Sequence, residues 1–379
     1  MAAIEKYLLG LLKEKGSDLH LSSGGPPLIR KDGDVMPLDS KPLEGEVLKA
    51  MLLEIMPPKN CTEFEERKDT DFAYEIRGQA RFRVNVFMDT RGWGSVIRII
   101  PARVVSADEL GLCESARKLC ELEKGLVLVT GPTGSGKSTT LAAMVDLVNS
   151  TRQGHIITIE DPVEFVHTSK SSLVNQREVG VHTRSFASAL RAALREDPDV
   201  ILLGELRDLE TTAIALETAE TGHLVFGTLH TSSAVSTIDR LIDQFPANQQ
   251  EQVRTLLGAS LRGVIAQVLL KKIGGGRVAA MEILLTNPAV QANIREGKTH
   301  QLTSAIQMGM KQGMILLNDA LLKLVMSKVV APQEALKKAI DKDDLQKKFQ
   351  AAGIALAATR PTGPSPTGVR REAGVPVLA

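Results

Sequence analysis

The residues from Gly131 to Ser138, Gly-Pro-Thr-Gly-Ser-Gly-Lys-Ser, satisfy the pattern G-x-x-x-x-G-K-[ST]. Glycines at these positions let successive backbone N–H groups turn inward around phosphate oxygens. A helix starting at Lys137 adds the positive end of its dipole. Lys137 is placed to reach the β- and γ-phosphates of a nucleoside triphosphate, and the Ser138 hydroxyl suits Mg²⁺. The phosphate-binding set expected here is therefore Gly131, Pro132, Thr133, Gly134, Ser135, Gly136, Lys137, Ser138 and Thr139.

Hydrolysis asks for more than a cradle. It needs Mg²⁺ held by carboxylates, directly or through water, and a group that orients the attacking water. Two acidic segments follow the loop. The first is Ile159-Glu160-Asp161-Pro162-Val163-Glu164. The second runs from Asp199 to Asp208 and has the form of a Walker B strand, with Glu205 just past its apolar run. Ser138, Glu160, Glu164 and Glu205 are the candidates around the metal, and Glu164 and Glu205 those for orienting water. The residues alone leave the division of roles open. His223 and His230 bracket a further apolar run, Leu224 to Leu229. His230, at its carboxyl end, is the better candidate for a γ-phosphate contact or relay.

These side chains need a scaffold that brings them to one edge. Gly125–Thr130, His155–Ile159, Val200–Leu203 and Leu224–Leu229 are short apolar runs, as expected of strands buried on both faces of a parallel sheet. Helices are expected between them, from Lys137 to Asn149 and after Ser185. There Phe186, Ala189, Leu190, Ala193 and Leu194 make a helical stripe behind a plausible N-cap. Strands alternating with helices give an α/β fold, whose ligands sit at the carboxyl ends of the strands. Ahead of it, residues 1–100 read as a small α+β domain. It opens on a helical stripe from Ile4 and contains the strand-like segments 80–87 and 94–100, the first with one face covered. Residues 101–114 look like a linker. Beyond 250 the pattern is mainly helical, broken by Gly274-Gly275-Gly276 and a short strand near 278–285. The segment 351–379, rich in proline and glycine toward its end, is expected to be a disordered tail.

Composition narrows the partners. Lys plus Arg number 46 against 45 Asp plus Glu, and aromatics are 3% of 379 residues. Neither a basic field nor a stacking platform for nucleic acid is expected. The three cysteines, Cys61, Cys113 and Cys120, show no metal spacing and read as reduced thiols. The N-terminus lacks the basic and apolar regions of a signal peptide, and no apolar run approaches the roughly 18–20 residues of a membrane span. A cytoplasmic chain without a transmembrane segment is expected, reaching any membrane through a partner.

The segments GPTGSGKST, ITIEDPVEFVH, LRAALREDPDVILLGELRD and AETGHLVFGTLHT, in that order, resemble the secretion-type hexameric ATPases, and in particular their pilus-retraction branch. Ser17–Leu21 and Gln79–Asn85 extend the likeness toward the N-terminus. The resemblance implies a PAS-like N-terminal domain at 1–100 and a RecA-like P-loop ATPase domain at 115–350, with a mostly parallel sheet and a helical C-terminal part. It implies a homohexamer with nucleotide between subunits, where Arg81, Arg83 and Arg98 of one subunit reach the phosphates of a neighbour. The activity expected is ATP hydrolysis coupled to mechanical work in type IV pilus retraction and twitching motility, acting on an inner-membrane platform protein from the cytoplasmic side. Pilus-extension and type II secretion motors share the chemistry. Those assembly ATPases typically carry a four-cysteine zinc site, and no cysteine follows Cys120 here. The segment Ala289–Glu296 matches the branch's AIRNLIRE motif at its ends and departs at its centre. A nucleic-acid translocase is the more distant alternative.

Overall fold

The computed structural model describes residues 2–31, 33–100 and 103–355. The N-terminal part contains helices α1 (Glu5–Lys13), α2 (Gly45–Ile55) and α3 (Pro58–Arg67). Its strands are β1 (Asp18–Ser22), β2 (Leu28–Lys31), β3 (Asp34–Pro37), β4 (Asp69–Ile76), β5 (Ala80–Asp89) and β6 (Gly92–Ile100). They form one antiparallel sheet in the order β3-β2-β1-β6-β5-β4. Strand β5 shows why a two-residue period was legible. Ala80, Phe82, Val84 and Val86 are buried, and they alternate with the more exposed Arg81, Arg83, Asn85 and Phe87. The buried set packs with Leu8, Leu11, Leu48, Leu52 and Phe64 from the three helices. Each buried valine, leucine or phenylalanine among them contributes about 1.5–3 kcal/mol by leaving water.

The second sheet has seven strands in the order β13-β12-β7-β11-β10-β8-β9. They are β7 (Gly125–Thr130), β8 (His155–Glu160), β9 (Leu173–Glu178), β10 (Val200–Leu203), β11 (Leu224–Leu229), β12 (Leu261–Lys271) and β13 (Arg277–Leu285). All neighbours are parallel except the β12–β13 hairpin. Helices α4 (Glu114–Cys120), α5 (Lys137–Thr151), α6 (Phe186–Ala193), α7 (Leu209–Thr221), α8 (Ala234–Asp243), α9 (Gln250–Ser260) and α10 (Pro288–Arg295) accompany it. Every residue of β7, β10 and β11 is buried, because the sheet is covered twice. Leu126, Leu128, Ile201 and Val225 face one core, and Val127, Val129, Val200 and Phe226 the other. The Ser185 hydroxyl accepts from the Ser188 N–H, which confirms the helix start read from sequence. The remaining helices, α11 (Leu302–Met308), α12 (Leu317–Met326), α13 (Pro332–Lys338) and α14 (Lys342–Ala351), complete the C-terminal part.

Two elements differ from the sequence expectation. The stretch 261–271 is a strand of 11 residues, not helix, and pairs with β7. Both its faces are covered, so it shows no alternation, and its Leu, Ala and Gln content favours helix intrinsically. Strand β9 has the opposite problem: LVNQRE is a polar edge strand with no apolar pattern. Helix α14 extends to Ala351, the first residue of the expected tail; the tail's residues 356–379 lie outside the described residues.

Candidate nucleotide site

Strands β7, β8, β10 and β11 all end on one edge, and each delivers a functional side chain there. Strand β7 runs directly into the loop 131–136, whose first amide donates to the Leu229 carbonyl at the end of β11 (3.4 Å). Gly136 sits at φ +88°, a left-handed N-cap that turns the chain into α5 and favours glycine. The first-turn amides of α5 have no acceptor within the helix and are directed at the loop's mouth. Thr130 is tied sideways through Thr237 (3.3 Å) to Thr231, whose hydroxyl lies 2.7 Å from that of Thr237. These bonds link the strand that feeds the loop to the segment that carries His230.

The Lys137 side chain is the centre of the site. It is 9% exposed, and its ammonium donates to the carbonyls of Gly131 (2.8 Å) and Pro132 (3.3 Å). His230 Nδ1 lies 3.4 Å from the same nitrogen. An ammonium only donates, so Nδ1 accepts and the ring proton sits on Nε2. That Nε2 is 3.3 Å from Glu205 Oε1, and Glu205 Oε2 is 2.7 Å from Arg207. Lys137, His230, Glu205 and Arg207 thus form one continuous row. Burial pulls the lysine below its ordinary range, against the opposing pull of Glu205 and then Glu164. Burial works to raise the Glu205 carboxyl, but the hydrogen bond and charge of Arg207, followed by His230, hold it below its ordinary value. The hydroxyl of Thr228 on β11 donates to the Gly204 carbonyl, fixing Glu205 beside His230. Glu205, Arg207, His230, Thr231 and Arg240 line a cavity of about 320 Å³. Arg240, on α8, carries no motif signal and is missed by sequence reasoning.

The first acidic segment is organised differently. Glu160 accepts from the Thr158 hydroxyl (2.7 Å), the Gln176 amide (3.3 Å) and the Glu164 backbone N–H (3.3 Å). Burial pushes its carboxyl up. The last of these bonds ties Glu160 to the turn that presents Glu164, which is exposed. Among the described residues no group of three or more His, Cys, Asp or Glu is close enough to make a metal cage. Mg²⁺ keeps waters and shares its shell with substrate phosphates, so it needs no such cage. Ser138 is half-buried in the first turn of α5, and the Ser135 hydroxyl is buried without a partner among the described residues. These features fit a phosphate-and-metal ligand.

The expected arginines lie on another sheet. Arg98 pairs with Asp18 (2.7 Å), Arg83 with Asp71 (3.4 Å), and Arg81 with Glu178 (3.5 Å). Their polar partners in this chain are therefore not members of the Lys137 row. Glu178, which the sequence reading passed over, also accepts from the Val163 N–H (3.2 Å). Arg81 thereby touches the acidic segment at second hand. His223 sits at the opposite end of β11, where its Nδ1 is 3.2 Å from the Thr218 carbonyl, against the last turn of α7. It closes a helix end and takes no part in the phosphate edge.

Known proteins resemble this chain over most of its length. Residues 1–358 match the family model described as type II/IV secretion system protein. The chain is 55% identical over 336 residues to the type IV pilus retraction ATPase PilT of Pseudomonas aeruginosa, covering 89% of this chain and 98% of that one. It is 49% identical over 320 residues to the twitching motility protein of Neisseria gonorrhoeae, covering 84% and 86%. A crystal structure of the pilus retraction motor PilT with bound ADP superimposes with a TM-score of 0.82 at 46% identity, over 92% of this chain and 99% of that one. Among the described residues no helix is long and apolar enough to cross a membrane.

Removing the Arg207 guanidinium tests the electrostatics of the row. In Arg207→Ala the Glu205 carboxyl should titrate at higher pH than in wild type, read by carboxyl-carbon NMR. A depressed native pKa gives stability that is present above the unfolded value and lost as pH falls through the folded one. The variant should therefore lose less of its stability on acidification. An unmoved Glu205 titration would mean that Arg207 does not hold the charge.

Proposed function

The chain belongs to the type II/IV secretion system protein family, and from that premise we propose that it is an ATP-hydrolysing motor that powers retraction of type IV pili. The observation that carries this reading is the 55% identity to a retraction ATPase across 98% of that protein's length. The row from Lys137 to Arg207 at the sheet edge supplies matching chemistry.

In this reading the loop 131–139 wraps the phosphates of ATP, and Lys137 neutralises the β- and γ-phosphate charge. Glu205 orients the attacking water. It suits the role because its carboxyl is held ionised, and an ionised carboxylate accepts from a water proton. His230 donates its Nε2 proton to Glu205 and fixes the direction in which the free lone pairs point. Mg²⁺ bound with the nucleotide would supply positive charge to the phosphates, and Ser138, with Glu164 and Glu205 through water, are the side chains that would hold it. Glu160 supports the Glu164 turn.

We read the six-stranded unit as the PAS-like part and the seven-stranded unit as the RecA-like part of one subunit in a ring of six. Arg81, Arg83 and Arg98 share the sheet face turned away from the helices, since Arg81 pairs with Ile100 and Arg83 with Arg98 across β5 and β6. From there they reach a neighbour's phosphates once the ring closes. Nucleotide-dependent opening and closing of subunit interfaces supplies the work. The motor acts at the cytoplasmic face of the inner membrane through a platform protein, with no need for nucleic acid.

Cells of the source organism lacking this gene should accumulate surface pili and stop twitching. Wild type should restore both traits, and Lys137→Ala, expected to release no phosphate from ATP in the purified protein, should restore neither. Loss of pili in the deletion strain would assign the chain to extension instead, and normal turnover by Lys137→Ala would remove the site.

A further inference from the structure

Strand β12 was not expected from sequence, and one of its side chains lies directly behind the nucleotide loop. Ala266 is the last residue of β12 in register with β7, opposite Thr130. Gln267 is therefore the first residue of β12 beyond the end of β7, alongside the point where the chain leaves the sheet to form the loop. It is 1% exposed. Its Nε2 donates to the Ser135 carbonyl at 2.7 Å, and its Oε1 accepts from the Thr140 hydroxyl of α5 at 2.9 Å. The amide cannot be the other way round, because the Ser135 carbonyl only accepts.

The loop closes on this residue at two further points. A Cβ on Gly131 would come within 2.3 Å of the Gln267 carbonyl oxygen and 2.5 Å of the Ser135 hydroxyl. A Cβ on Gly136 would come within 3.2 Å of Gln267 Nε2. Gln267 thus touches the start of the loop through its backbone carbonyl, and the loop's last turn and the helix that follows through its side chain. We infer that Gln267 is a positioning residue that holds the phosphate loop in its binding shape from the hairpin side. The inference rests on the ATPase reading and deepens it. Glutamine meets both bonds: an ionised glutamate cannot donate to Ser135, leucine offers neither donor nor acceptor, and asparagine is a methylene short. The contact also makes β12 a mechanical link, because the next cross-strand pair, Ala266 and Glu282, lies beside it. Glu282 accepts from the first-turn amides of α8 (2.8 Å) and α12 (3.3 Å). The loop's shape is thus joined to the α8 segment after His230 and to the C-terminal helices.

The test uses the full-length chain and a fluorescent ADP analogue with Mg²⁺, measuring Kd and the melting temperature with and without nucleotide. Gln267→Glu and Gln267→Leu leave the Ser135 carbonyl buried without its donor and should weaken binding by about tenfold or more. At a fixed nucleotide concentration the stabilisation on binding should shrink with the Kd. Thr140→Val removes the group that orients the amide. It should weaken binding in the same direction and add little in the Gln267→Leu background. It also serves if a Gln267 variant does not fold. Wild-type Kd in these variants, or a lowered melting temperature with Kd unchanged, would reduce Gln267 to packing and overturn the inference alone. A wild-type chain that binds no nucleotide would overturn the ATPase reading and this inference with it.

Discussion

A lysine ammonium buried at the edge of a sheet is the constraint around which the nucleotide half is built. An uncompensated buried charge costs several kcal/mol, so partners have to be brought to it. The loop carbonyls of Gly131 and Pro132 come with the lysine, because they belong to the same turn. His230 and Glu205 come from elsewhere in sequence and meet it only because β10 and β11 are parallel neighbours ending at one level. Arg207 then balances the carboxylate. Parallel order is in turn what demands helices on both faces and apolar strands throughout. The burial of β7, β10 and β11 is thus the structural cost of aligning four side chains from distant parts of the chain.

The same constraint explains what was legible in the sequence. A strand buried on both faces leaves an apolar run, and a phosphate loop leaves its glycines and lysine, so the four central strands and the loop could be read with nearly their observed limits. Caps such as Ser185 have local chemistry and were legible too. What failed has no local signature. Strand β12 is a strand only because β7 and β13 pair with it, and its residues favour helix when considered alone. Gln267 acts through a contact with residues more than a hundred positions away. Arg240 reaches the cavity from the middle of α8 by tertiary packing. Glu160 looks like Glu164 and Glu205 in sequence, and only Thr158, Gln176 and the local turn show that its oxygens are already engaged.

The arginines of the N-terminal sheet illustrate a different limit. Their alternation along β5 shows which face they occupy, and the fold agrees. What they touch is not written in that alternation. Within one chain Arg81 and Lys59 reach the β9 end of the other sheet, through Glu178 (3.5 Å) and the Gly180 carbonyl (2.9 Å). The first is an ion pair with a largely buried carboxylate, and the second a hydrogen bond to a backbone carbonyl.

The central claim is that His230 and Glu205 act as a single unit beside Lys137. A double-mutant cycle on phosphate release tests it most directly, using His230→Ala, Glu205→Gln and the pair. If His230 works by orienting Glu205, each single substitution lowers kcat while nucleotide still binds, and the pair is no slower than Glu205→Gln alone. If the two effects multiply, the residues act independently, and the hydrogen-bonded row is not the catalytic unit.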